Sequence, residues 1–105
     1  MPKAVSLLHR KRIYDDGAIS EVRLWILQDA VPGSLHKFKY SLFYGYPGSR
    51  AVAYDNERGK GDHRHMLGKE TPYKFESLDK LLADFEADIK ALLEQNAEGP
   101  ESPQA

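Results

Sequence analysis

Near the C-terminal end, Leu78, Leu81, Leu82, Phe85, Ile89, Leu92 and Leu93 recur at helical spacing. Glu76, Lys80, Asp84, Glu86, Asp88, Lys90 and Glu94 fill the remaining positions. This is one apolar stripe on one amphipathic α-helix, predicted over about 78–95. Ser77 is placed to cap it, and Asp79 stands favourably in the first turn. A stripe this wide must be covered by the rest of the chain. The rest offers strands, because its apolar residues alternate with polar ones.

Residues 4–14, "AVSLLHRKRIY", and 18–27, "AISEVRLWIL", flank the turn signal "DDG" at 15–17. Val22, Leu24 and Ile26 alternate with Arg23, Trp25 and Leu27, so the two runs read as an antiparallel hairpin. "DAVPGSLH", 29–36, is a loop with a Pro-Gly turn. In "KFKYSLFYGY", 37–46, Phe38, Tyr40, Leu42 and Tyr44 share one parity, while Lys37, Lys39, Ser41 and Phe43 share the other. "PGS" turns the chain into a fourth strand, 50–55. Pro72, Tyr73 and Phe75 return to the core through a short extended piece. The expected fold class is α+β: a four-stranded, at most five-stranded, antiparallel meander with the C-terminal helix on one face. Residues 1–95 are expected to form this single domain. Residues 96–105, with two prolines and no large apolar side chain, are expected to be a disordered tail.

Composition closes several routes. No cysteine is present among the 105 residues, which removes disulfides, thiolate metal sites and cysteine nucleophiles. No run approaches the roughly 20 apolar residues that span a bilayer, and the N-terminus lacks the apolar core of a secretory signal. The expectation is a cytoplasmic protein with no membrane association. A formal net charge of −1 argues against diffuse attraction to nucleic acid and leaves room for a local basic site.

The densest chemistry lies in "YDNERGKGDHRH", residues 54–65, read as a loop that continues to about Thr71. Arg58, Lys60 and Arg64 are suited to phosphate oxygens. Gly59 and Gly61 let backbone N–H groups approach a ligand. If 62–65 is extended, His63 and His65 point to the same side and can act as acid and base near neutral pH. These parts suit metal-independent RNA cleavage: one histidine takes the 2′-OH proton, the other protonates the leaving 5′ oxygen, and the cations stabilise the phosphate. Asp62 and Glu57 would orient or tune them. The expected cofactor and metal content is none. Two rival readings stand beside this: a solvated or partner-gripping surface without catalysis, and a metal-dependent nuclease using Asp62, His63 and His65 with Asp55 or Glu57. Trp25, Tyr40, Tyr44 and Tyr46 could stack bases but read first as strand packing. "HRKR", 9–12, fits either phosphate contacts or a guarded strand edge. His9 and His36 read as ordinary side chains.

The order of "DDG", "VPGSLHKFKYSLFY", "YDNERGKGDHRH", "PYKF" and "LLADF" resembles the TumE family of toxin-antitoxin systems over about residues 5–93. That resemblance implies a small prokaryotic toxin, inhibited by an antitoxin with a helix-turn-helix domain, and a class of toxins that often acts on RNA. The matching positions are Tyr54, Asp55, Asn56, Glu57, Arg58, Gly59, Lys60, Gly61, Asp62, His63, Arg64 and His65. Tyr54, Asp55, Asn56, Gly59 and Gly61 are thereby expected on the substrate-binding side. An aromatic-rich sheet face left uncovered favours a homodimer.

Overall fold

A computed structural model of the chain describes residues 4–97. It is an α+β arrangement of six strands and one helix: β1 (Ala4–Ile13), β2 (Ile19–Leu27), β3 (Phe38–Tyr46), β4 (Ser49–Glu57), β5 (Gly61–Met66), β6 (Lys69–Pro72) and α1 (Leu78–Ala97). The strands form one sheet in the order β1-β2-β3-β4-β5-β6, each antiparallel to its neighbour. The helix runs two residues past its expected end; the rest of the expected tail, 98–105, lies outside the described residues.

The expected four or five strands are corrected to six. The charged run at 54–65 is not a loop: it holds the end of β4, a short turn and β5, and β6 follows at once. The alternation in β5 is complete, with Gly61, His63 and His65 buried and Asp62, Arg64 and Met66 half-buried. It went unseen because the buried positions carry imidazoles and a glycine instead of aliphatic side chains. The β5–β6 turn was masked in another way. Leu67 and Gly68 both have positive φ, 52° and 85°, a backbone usually announced by Asn-Gly or Asp-Gly.

The core lies between one sheet face and α1. It gathers Val22, Leu24, Tyr40, Leu42, Tyr44, Val52 and Tyr54 with Leu81, Phe85 and Leu92. The parities expected for the second and third strands therefore hold. Leu93 is the exception in the helical stripe, exposed instead of buried. Ser77 Oγ accepts the Lys80 N–H at 3.1 Å, the cap expected from sequence. No helix among the described residues is long and apolar enough to cross a membrane.

Candidate functional site

In an antiparallel pair, residues directly opposite each other share a face. The registers Asp55↔His63, Ala53↔His65, Glu57↔Gly61 and His65↔Glu70 put Asp55, Glu57, His63, His65 and Glu70 together on the face away from α1. Tyr54↔Arg64 and Asn56↔Asp62 put those four residues on the helix side. The charged hairpin is thus two sites back to back.

On the open face, His63 and His65 stand with ring centroids 5.0 Å apart. His63 is the more enclosed, with a side chain 4% exposed. Its Nδ1 donates to the Gly61 carbonyl oxygen at 3.1 Å. Its Nε2 lies 2.6 Å from Asp55 Oδ1, 3.6 Å from Glu70 Oε2 and 3.7 Å from Glu57 Oε1. The Asp55–His63 approach is short but badly aligned, so both atoms are buried without a hydrogen-bond partner. Ligand atoms of Asp55, His63 and His65 all lie within 4.8 Å of one another. Burial, and then the Arg50 charge, hold the His65 imidazole below its ordinary pKa, against the opposing pull of Glu70 and Asp55. The neutral ring is therefore favoured at pH 7. A hollow of about 350 Å³, lined by Lys60, Asp62, His63, Glu70, Thr71 and Pro72, borders the cluster.

On the helix side, the other expected site residues are engaged in packing. Arg64 forms a two-pronged pair with Asp88 of α1, Nε to Oδ2 at 2.6 Å and Nη2 to Oδ1 at 3.0 Å. Tyr54 donates its hydroxyl to the same carboxylate, and burial pushes that phenol above its ordinary pKa. Asp62 accepts from Ser34 Oγ at 2.6 Å, His36 Nε2 at 2.6 Å and Tyr40 OH at 2.7 Å. His36 accepts the Phe38 N–H on Nδ1 and stacks on Phe75 at 3.9 Å. Asp62 therefore does not meet the histidine pair; Asp55 does. His36 was passed over in the sequence, and no spacing could have joined it to a partner 26 residues away.

The turn between β4 and β5 explains the glycines. Gly59 N donates to Pro32 O at 2.7 Å. A Cβ on Gly33 would come within 2.8 Å of Gly61 N, and one on Gly61 within 2.9 Å of Gly33 O. Gly61 also has φ +78°. These glycines let the 28–37 loop lie against the turn, backbone on backbone. Arg58 and Lys60 stay exposed there, Lys60 3.9 Å from Glu57. Among the aromatics, Tyr40 and Tyr44 are core, Tyr46 donates to Asp16, and Trp25 is half-buried on the open face opposite Lys39. The "HRKR" run is exposed on the outermost strand, with His9 against Glu21.

A family model described as Toxin TumE matches residues 3–93. No curated protein and no solved structure matches the chain.

Proposed function

The chain belongs to the TumE family of toxins, and from that premise we propose that it is an endoribonuclease with its reaction centre on the open sheet face at Asp55, His63 and His65. Membership implies an antitoxin partner; that this partner carries a helix-turn-helix domain, and that both act in the cytoplasm, belong to the proposal. The observation that carries the reading is the convergence of two imidazoles and a carboxylate on the sheet face away from α1. His65, with its pKa held down, is suited to accept the proton of a ribose 2′-OH. Arg58 and Lys60, exposed on the adjoining turn, can hold phosphate oxygens. Arg64 supports the hairpin through Asp88. His63 fits the metal-free role of proton donor poorly, since its Nε2 is enclosed by Asp55, Glu57 and Glu70.

The test is cleavage of several RNA classes by the purified chain, with and without excess chelator. His65→Ala, if folded, is expected to lower the rate by about 10²–10⁴-fold. Cleavage undiminished in that variant would sink the assignment of His65. Absence of cleavage by folded wild type on every RNA would replace the enzyme with a binding module.

A further inference from the structure

The orphaned pair at the centre of the open face is chemically informative. His63 Nδ1 donates to Gly61 O, and its Nε2 is aimed at Asp55 Oδ1. The two atoms lie 2.6 Å apart, both buried, and neither has an aligned hydrogen-bond partner among the described residues. Buried polar atoms left in this way are uncommon and call for an explanation. We propose that Asp55 Oδ1, His63 Nε2 and one ring nitrogen of His65 bind a divalent first-row transition metal ion. The inference rests on the reaction centre above and revises one role in it, since a His65 ring nitrogen that holds the ion does not also accept the 2′-OH proton; its test is binding and not turnover.

Four observations support the site. The three ligand atoms come from two adjacent strands and lie within 4.8 Å of one another, close enough for small side-chain rotations to seat an ion at about 2.0–2.2 Å from each. The Gly61 carbonyl fixes the tautomer of His63 through its other nitrogen, the arrangement that metal-ligating histidines use. Glu57 and Glu70 approach within 4 Å of His63 Nε2 and add negative charge around the ion. Two nearby cations that would oppose metal binding are engaged elsewhere: Arg64 is paired with Asp88 on the other face, and Lys60 lies against Glu57. Arg50 is the basic group whose charge reaches His65.

Two imidazoles and one carboxylate suit zinc, manganese, cobalt or nickel better than magnesium or calcium, which favour all-oxygen shells. Three protein ligands leave coordination positions open, as catalytic sites do and closed structural sites do not. A phosphate oxygen or a water molecule can take those positions. The ligand set differs from the Asp62, His63 and His65 set weighed from sequence, because strand alternation turns Asp62 to the helix side and brings Asp55 across from β4.

The experiment is titration of the chelator-treated, dialysed full chain with Co²⁺, followed by its d–d absorption, and with Zn²⁺ by calorimetry. One ion per chain is expected, and its addition should raise the thermal midpoint. Asp55→Asn, nearly isosteric, and His65→Gln, each checked for fold by circular dichroism, should bind at least roughly tenfold more weakly. Loss of affinity in either folded variant supports the site. Wild type that binds neither ion, or variants that bind both as well as wild type does, would overturn it. Metal binding without RNA cleavage would sink the nuclease reading alone. Cleavage persisting in chelator, with no ion bound, would sink this inference alone.

Discussion

Asn56 continues the sheet where two main chains separate. The β3–β4 register ends at Ser41↔Asp55. One residue further on, the Asn56 side chain accepts the Tyr40 N–H at 3.0 Å and donates to Phe38 O at 2.7 Å. It is fully buried, and it also donates to Ser34 Oγ at 3.3 Å. Asn56→Ala strands a backbone donor and a backbone acceptor, each costing about 1–3 kcal/mol, so a loss of about 3 kcal/mol is expected by urea denaturation. A loss below about 1 kcal/mol would mean that water replaces the amide. In the sequence, the family resemblance put Asn56 on the substrate-binding side, and nothing in the residue pattern marked it as a buried link between strands. Residue types made the histidine pair legible, and the conditional expectation that His63 and His65 share a side holds. The residues that complete each site, Asp55 across the ladder and His36 from a distant loop, depend on pairing that residue types do not encode.

Among the elements, α1 and the first four strands were legible because their periodicities are written in aliphatic and aromatic side chains. The hairpin of β5 and β6 was not, and its turn is also a point of strain. Leu67 is exposed and left-handed at φ 52°, a conformation that costs an L-residue other than Asn or Gly roughly 1–2 kcal/mol. Leu67→Asn is therefore expected to stabilise the protein by about 1 kcal/mol, read as a higher denaturation midpoint. An unchanged or lower midpoint would mean that the Leu67 side chain contributes packing after all. The helix is joined to the segment after β6 by Asp84, which accepts from Lys80 Nζ at 2.8 Å and from Tyr73 OH at 2.6 Å. Those bonds, Lys80 first, hold its carboxyl below the usual range. A lowered folded pKa means stability that is present above the ordinary value and lost as pH falls through the lowered one. The difference in thermal midpoint between wild type and Asp84→Asn should therefore shrink below about pH 4. A pH-independent difference would refute that coupling.

At the scale of the molecule, one sheet serves two purposes. Its helix side holds the apolar core together with the half-buried Asp62 and Asp88 networks. Its other side carries the candidate chemistry. This division follows from the two-residue period of strands, which alone separates Asp55 from Tyr54 and His63 from Asp62. The connectivity adds a consequence in time. Every strand pairs with the one synthesised just before it, so the sheet can assemble in the order in which the chain emerges. The helix that seals Tyr40, Leu42, Val52 and Tyr54 comes after all of them. A ribosome that stalls before Leu78 would release a sheet with its apolar face bare, unfit to persist in water. For a member of a toxin family, the expected consequence is that a chain cut short before Leu78 does not persist as a folded toxin.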